Sequence, residues 1–522
     1  MTNLFRFNDN FLLRKEGKTI SKVWENYQPE LVFWNQKKVT NDLEKQVSGR
    51  ALLFSEIASF YPKNDVIKKI IELKPIIVPG VVSIKHKHLK TMLSLVFRDI
   101  FTLKSEGICL RCGSTNVKEI ECVRCSSYCL SCRDCFMTGE STSCTPLFLF
   151  SSKGENKNRK ALLSLEFSLT KAQQRAYDMA VNFVKEKHYD KALVYAVCGA
   201  GKTETVFGAI KHVLDKGGKV LYATPRRDLV KELSERFQKA FIDTDMLTLY
   251  GGSESKYSRA DLVMATTHQV MRYYSFFDLV VLDEVDAFPY KGSKRLPKLV
   301  YRAGKKDSQM IYITATPDKE FIKSKLELIT VPSRFHKYPA PEPELVKGSF
   351  RLLDKENFLD KLINYLGFSE LPKELTRFFI HYGGKKPIFV FVPAISLIEP
   401  VTNTLRHLYP NLVIESISSK DQKRDKKRDY FLKKKIDILV TTTIMERGVT
   451  VSGVQVVVLF CHHKIFESRT LIQIAGRVGR KKEEPQGEVL FIGEKITPSM
   501  KEAKKTIINM NREAKRLGFL DY

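Results

Sequence analysis

Ala196-Val-Cys-Gly-Ala-Gly-Lys-Thr203 joins an apolar run to a helix-compatible segment through a glycine-rich turn. The apolar run at 192–197 reads as a buried strand. Gly199, Ala200, Gly201 and Lys202 follow, and 203–214 is compatible with a helix. Strand, glycine-rich turn and helix start make a phosphate cradle. The glycines let backbone N–H groups approach phosphate oxygens, and the helix N-terminus adds partial positive charge. In such a cradle Lys202 reaches the β- and γ-phosphates of ATP and the Thr203 hydroxyl holds Mg²⁺, with Glu204 next in the nucleotide-binding set. The strict pattern has a glycine where this chain has Ala196, so the motif needs support from elsewhere.

That support lies on both sides of it. Between 165 and 330, apolar runs at 193–197, 220–223, 262–265, 279–282 and 310–313 alternate with helical stretches. Strands alternating with helices give a parallel sheet covered on both faces. Pro332, Pro339, Pro341 and Pro343 then crowd together and read as an extended connector. A second series follows at 388–392, 436–440, 454–460 and 489–492. The expected fold class is α/β, with two lobes at 165–331 and 345–500 and a C-terminal helix at 501–522.

In open α/β sheets ligands bind beyond the carboxyl ends of the strands. The run at 279–282 leads into Asp283-Glu-Val-Asp286. Asp283 can hold Mg²⁺, and Glu284 can orient and deprotonate the attacking water. The bland alternative, a solvated acidic loop, fits poorly straight after a hydrophobic strand. Other runs end in Thr224-Pro-Arg226, Thr266-Thr-His-Gln269, Thr314-Ala-Thr-Pro317 and Thr441-Thr-Thr443. In the second lobe, Gln473-Ile-Ala-Gly-Arg-Val-Gly-Arg480 reads as helical, with Gln473, Arg477 and Arg480 on one face at spacings of four and three. Two arginines so spaced can point across an interlobe cleft at a γ-phosphate.

The 522 residues suffice for about three domains. A formal net charge of +28 points to a polyanionic partner. No run approaches the ~18 apolar residues of a membrane span, and the N-terminus has no basic-then-apolar signal pattern, which argues for the cytosol. The basic run at 420–435 carries nine Lys or Arg against three Asp and reads first as a solvated helix face. His336, His462 and His463 are isolated and receive no role. Residues 1–105 show no nameable motif; Trp24 and Trp34 there read as core. The polar stretch at 151–160 reads as a linker.

Eight of the ten cysteines fall between 109 and 144. In a reducing compartment that density means metal rather than disulfides. Cys109-x-x-Cys112 and Cys132-x-x-Cys135, nineteen residues apart, fit a structural four-thiolate Zn²⁺ site. Cys122, Cys125, Cys129 and Cys144 could form a second, nested site, and spacing leaves the pairing open. Residues 106–150 are thus the expected zinc module.

The ordered motifs over 165–495 resemble those of superfamily 2 helicases and translocases, which implies two tandem RecA-like lobes. The resemblance implies that Gln173, in Leu169-Thr-Lys-Ala-Gln173, reads adenine. It implies that Lys202, Thr203, Asp283 and Glu284 run hydrolysis, with Gln473, Arg477 and Arg480 completing the site and the two arginines as fingers. Thr224, Arg226, Thr266 and Thr442 would contact nucleic-acid phosphates, and the Thr314/Thr316 turn would couple the lobes. Thr450 stands where many relatives have an aspartate and is not assigned. The zinc module ahead of the motor, Cys132-Arg-Asp-Cys135, Asp283-Glu-Val-Asp-Ala-Phe-Pro-Tyr290 and Glu446-Arg-Gly-Val-Thr450 narrow the likeness. Together they resemble the ComFA family of competence-associated ATPases of Gram-positive bacteria. That resemblance implies pulling single-stranded DNA into the cytosol at the inner face of the membrane, with ComEC, ComFC and DprA as partners. Two rivals remain: a replication-restart DNA helicase, and a zinc-containing DNA-binding adaptor whose ATPase only switches its grip.

Overall fold

The computed structural model describes residues 2–7, 10–15, 43–61, 75–83, 107–122, 127–150, 160–253, 256–287, 295–317, 324–348, 371–418, 420–443 and 451–521, with a few single positions and short pieces between them. Trp24, Trp34, Cys125, most of the 151–160 linker and the Glu446–Thr450 stretch lie outside the described residues.

Ahead of the lobes lie β1 (Thr2–Phe7) and β2 (Asn10–Lys15), a hairpin, then β3 (Ala51–Leu53), β4 (Ile76–Pro79), β5 (Val81–Ser83), β6 (Gly107–Cys109), β7 (Val117–Cys122), β8 (Ser127–Cys132) and β9 (Pro146–Leu149). Strand β9 runs between β3 and β4, β5 pairs with β6, and β7 with β8. One core joins Leu53, Val78, Ile108, Leu110 and Leu147 to Met271, Leu296 and Leu299 of the next domain.

The first lobe holds β10 (Lys191–Ala196), β11 (Val220–Thr224), β12 (Met246–Leu249), β13 (Leu262–Thr266), β14 (Phe277–Asp283), β15 (Gly304–Thr314) and β16 (Glu327–Val331). They form one parallel sheet in the order β12-β13-β11-β14-β15-β10-β16. The second lobe holds β17 (Glu344–Lys347), β18 (Ile388–Phe391), β19 (Ile414–Ile417), β20 (Ile438–Thr441), β21 (Gln455–Val458) and β22 (Val489–Gly493). They too are parallel, ordered β17-β22-β21-β18-β20-β19. Central strands such as β11, β13, β18 and β21 are buried along their whole length, as helices on both faces require. The two cores fuse behind the phosphate loop: Val197 and Ala200 share a cluster with Ile474, Ala475 and Val478.

The C-terminal helix, Pro498–Arg516, folds back onto the first lobe and the connector. Thr330 Oγ1 donates to Glu513 Oε1 (2.9 Å), and Asn511 pairs with the backbone of Ala340 in both directions (2.8 and 2.9 Å).

Candidate ATP site, nucleic-acid face and metal centre

Register fixes what meets at the carboxyl edge of the first sheet. Tyr195 of β10 lies beside Thr314 of β15, and Asp283 of β14 beside Ile313. The phosphate loop, the Thr314–Thr316 turn and the acidic pair therefore stand side by side. On the other side of β14, Thr224 of β11 lies beside Thr266 of β13. One sheet edge thus carries the expected nucleotide residues on one half and the expected nucleic-acid contacts on the other.

Within the loop, Gly201 has φ +69°, and a Cβ there would lie 2.3 Å from Gln173 Nε2. Gln173 explains that closeness. It occupies the third position of the helix Lys171–Glu186, capped by Thr170. Thr170 N donates to Gln173 Oε1 (2.9 Å), and Gln173 Nε2 donates to Ala200 O (2.9 Å). The amide keeps one lone pair and one N–H for a ligand. The segment after the loop is tighter than an α-helix at first: Glu204–Val206 is a 3₁₀ turn, and the α-helix starts at Phe207 rather than at 203. Glu204 is buried and paired with Arg236.

Asp283 is buried and held on both oxygens: Tyr222 Oη donates to Oδ2 (2.8 Å) and Glu284 N to Oδ1 (2.8 Å). Burial raises its carboxyl above the ordinary range, opposed by the Lys202 ammonium and the Tyr222 hydroxyl. Glu284 has φ +53°, an uncommon conformation for a non-glycine residue. Asp286 accepts from the hydroxyls of Thr314 (2.7 Å) and Thr316 (2.6 Å), tying the acidic loop to the neighbouring strand end. Asp286 and Tyr222 were missed as site residues. Asp286 was signalled by its place in the acidic tetrad; Tyr222 had no signal beyond standing two residues before Thr224.

The expected single helical face for Gln473, Arg477 and Arg480 is corrected. The helix Ser468–Ala475 stops before either arginine. Gly479 at φ +65° reverses the chain, and a Cβ there would sit 2.1 Å from Pro485 O. The arginines are carried on a turn that reaches the phosphate loop. Cys198 Sγ lies 3.7 Å from Gln473 Oε1, and Arg480 Nε donates to Gly476 O (2.8 Å). Burial lowers the Arg480 pKa, while Cys198 and Glu284 act on it electrostatically across the cleft. Arg477 is buried. Between the lobes, Arg334 and His336 of the connector donate to this turn. No sequence signal marked Arg334, and His336 looked isolated.

Of the expected nucleic-acid contacts in the first lobe, Thr224 and Thr266 are buried, and Arg226 is half-buried at the start of the helix Arg227–Ala240. Thr442 is half-buried just past β20 in the second lobe.

The cysteine segment builds two knuckles. Cys109 ends β6, and Gly113 N donates back to Cys109 O (2.8 Å). Cys132 ends β8, and the 3₁₀ turn Arg133–Thr138 carries Cys135. The four sulfurs of Cys109, Cys112, Cys132 and Cys135 lie within 4.8 Å of one another. Two separations are 3.8 Å (Cys109–Cys135) and 3.6 Å (Cys112–Cys132). A tetrahedral Zn–S₄ unit with bonds of ~2.3 Å has edges of about 3.8 Å, so the donor set fits that ion. Packing the thiols together makes their ionisation unequal. Hydrogen bonds from its neighbours outweigh burial and hold Cys109 low, while the bond to Cys109 pushes Cys112, Cys132 and Cys135 up. Cys122, Cys129 and Cys144 form a second group, with Cys122 and Cys144 Sγ 3.5 Å apart.

Arginines dock this module onto the first lobe. Arg302 Nη1 donates to Leu110 O (2.9 Å) and Nη2 to Met271 O, and Arg295 Nη1 pairs with Asp134 (2.8 Å). Arg111, inside the first knuckle, pairs with Glu56 (2.8 Å), which also faces Arg272 (3.5 Å).

Three family profiles match the chain: Competence protein ComFA N-terminal domain over residues 36–149, DEAD/DEAH box helicase over 170–324, and Helicase conserved C-terminal domain over 369–482. With the two parallel-sheet lobes and the phosphate loop between them, these matches define an ATP-hydrolysing, nucleic-acid-binding helicase of superfamily 2. The chain is 35% identical over 440 residues to the competence protein ComFA of Bacillus subtilis, covering 83% of this chain and 92% of that one. It is 34% identical over 417 residues to ComFA of Streptococcus pneumoniae, covering 79% and 92%. The chain belongs to the ComFA family and is a competence-associated helicase. It is also similar to S. cerevisiae Dbp5 bound to RNA and ADP BeF3, at 17% identity and a TM-score of 0.45, over 66% of this chain and 88% of that one. Among the described residues no helix is long and apolar enough to cross a membrane.

Proposed function

We propose that this protein is an ATP-driven translocase on single-stranded DNA that draws incoming DNA into the cytosol during competence. One observation carries the ATP-driven part of the reading: the turn bearing Arg477 and Arg480 lies against the phosphate loop, where a Cβ on Gly199 would come within 3.9 Å of Arg480 Cγ. Lys202 binds the β- and γ-phosphates. Thr203 and Asp283 would hold the Mg²⁺ that accompanies ATP, which would supply charge neutralisation for the phosphates. Glu284 orients the attacking water and takes its proton. Arg477 and Arg480 stabilise the charge that develops on the transferred phosphoryl group, and Gln473 fixes their turn against Cys198. Gln173 joins the adenine to the loop through Ala200.

Thr224, Arg226 and Thr266 in the first lobe and Thr442 in the second contact successive backbone phosphates. Such contacts position the strand without reading sequence. Because Asp286 binds both Thr314 and Thr316, movement at the acidic loop is passed to the end of β15, which stands between that loop and the phosphate loop. Zn²⁺ held by Cys109, Cys112, Cys132 and Cys135 is structural and stabilises the module beside the first lobe. Cys122, Cys129 and Cys144 are the candidates for a second ion. The same reading takes ComEC, ComFC and DprA, the partners the family resemblance implies, as the proteins it works with at the membrane.

The test is the steady-state ATP hydrolysis rate with and without single-stranded DNA, for wild type and Glu284→Gln. The reading expects strong stimulation by DNA and near-complete loss in the variant. A rate indifferent to DNA would remove it.

A further inference from the structure

Arg334 is a buried cation with an unusual set of partners. It lies in the connector between the lobes and is 1% exposed. Its Nε donates to Cys198 O (3.1 Å) in the phosphate loop. Its Nη1 donates to Val478 O (2.6 Å) and Gly479 O (2.8 Å), in the turn between Arg477 and Arg480. His336, two residues on, adds a second bond to Gly479 O (2.8 Å). Tyr338 N donates to His336 Nδ1 (3.2 Å), which leaves the proton on Nε2 and makes the ring a donor there.

All the hydrogen-bond acceptors of Arg334 are neutral carbonyls. Among the described residues no carboxylate reaches it, and Nη2 is buried without a partner. Desolvation pulls its pKa down to about 10. Burying a guanidinium with no carboxylate partner is costly, and hydrogen bonds to carbonyls offset only part of that cost. A fork of fixed N–H directions can bridge carbonyls on separate segments, which a lysine ammonium does not reproduce. This one side chain joins three segments: the connector, the phosphate loop and the Arg477–Arg480 turn.

We propose that Arg334, assisted by His336, is a positioning residue for ATP hydrolysis: it latches the Arg477–Arg480 turn to the phosphate loop and sets where the two arginines stand. This rests on the finger role proposed above for Arg477 and Arg480. Separating the lobes at this edge breaks its bonds to Cys198 or those to Val478 and Gly479. A latch made at the backbone positions the turn without touching the nucleotide.

The experiment uses the whole 522-residue chain as purified. Donor and acceptor dyes are attached through genetically encoded residues at the exposed positions Ile242 and Ile380, one in each lobe. Interlobe energy transfer without nucleotide, and kcat and KM for ATP with single-stranded DNA, are measured for Arg334→Ala, Arg334→Lys and His336→Ala. Displacing a catalytic group by ~1 Å can cost about 10²-fold in rate, and a loss of that order in kcat is expected for both Arg334 variants. KM should change by less than about threefold, since ground-state contacts to ATP are kept. Energy transfer should change in both, and His336→Ala should shift kcat and energy transfer in the same direction by less. Arg334→Lys with wild-type kcat, or either Arg334 variant with wild-type energy transfer, overturns the latch. Arg477→Ala and Arg480→Ala run alongside separate the two ideas. If they turn over normally, the finger assignment fails; if they are inactive while Arg334→Ala is active, only the latch fails.

Discussion

Glu56→Ala should undock the cysteine-rich module from the first lobe. The Glu56 carboxylate sits on the helix Phe54–Phe60, and three separate parts of the chain converge on it. Oε2 accepts from Leu53 N (3.0 Å) at the start of its own helix. Oε1 accepts from Arg111 Nη2 (2.8 Å) in the first knuckle. On the lobe side, Arg272 Nε lies 3.5 Å away and Tyr257 Oη donates from 3.5 Å. Arg111 is 0% and Arg272 5% exposed, so neither guanidinium can turn to water when the carboxylate is removed. Breaking one side of a buried ion pair costs about 3–5 kcal/mol because the partner charge stays buried. Losing the bond to Leu53 N adds about 1 kcal/mol. The assay is urea unfolding of Glu56→Ala, Arg111→Met and the double variant, with hydrogen exchange followed by segment. Residues 43–61, 107–122 and 127–150 should lose protection while the second lobe keeps it. The double variant should be less destabilised than the sum of the singles, since it no longer strands Arg111. A loss below about 1 kcal/mol for Glu56→Ala, or simple additivity, would refute the argument.

Four further outcomes follow from the same geometry. Tyr222→Phe removes the hydroxyl that donates to Asp283 Oδ2, so the Mg²⁺ dependence of nucleotide binding should shift up by about tenfold while metal-free binding is unchanged; titration of a fluorescent ATP analogue checks it. Cys109→Ser with Cys112→Ser should release zinc by elemental analysis and lower the unfolding midpoint of the module, because metal binding energy there is folding energy. Affinity for single-stranded DNA should fall with salt: if about five phosphates are neutralised, the slope of log K against log[salt] is about −3.5, with little preference among sequences. Lys202→Ala should weaken ATP binding, whereas Arg477→Ala should keep it and lose about 10³-fold or more in DNA-stimulated turnover, as measured by binding and rate in parallel.

The lobes were legible because their central strands are buried on both faces and read as unbroken apolar runs. The strands that the sequence reading passed over are β12, β16, β17 and β19, and these are the four edges of the two sheets. An edge strand is half-covered, so its burial is mixed, as in Met246–Leu249 and Glu327–Val331, and no continuous run marks it. The ATP motifs were legible for a different reason: phosphate and metal chemistry demands particular side chains at short spacing. Arg334, His336 and Tyr222 met no such rule. Arg334 and His336 bind backbone carbonyls more than 130 positions away, and carbonyl acceptors leave no trace in side-chain identity. The end of the helix at Ala475 was hidden because Gly476-Arg-Val-Gly-Arg480 continues a helical spacing, and only the left-handed Gly479 breaks it.

Directional movement on single-stranded DNA is read out by displacement of streptavidin from a biotinylated oligonucleotide. The wild-type protein with ATP should strip streptavidin from one end of the strand and not from the other. Glu284→Gln should bind the same strand and strip it from neither. Displacement from neither end by an actively hydrolysing wild-type protein would contradict translocation and leave an ATP-switched DNA-binding protein in its place.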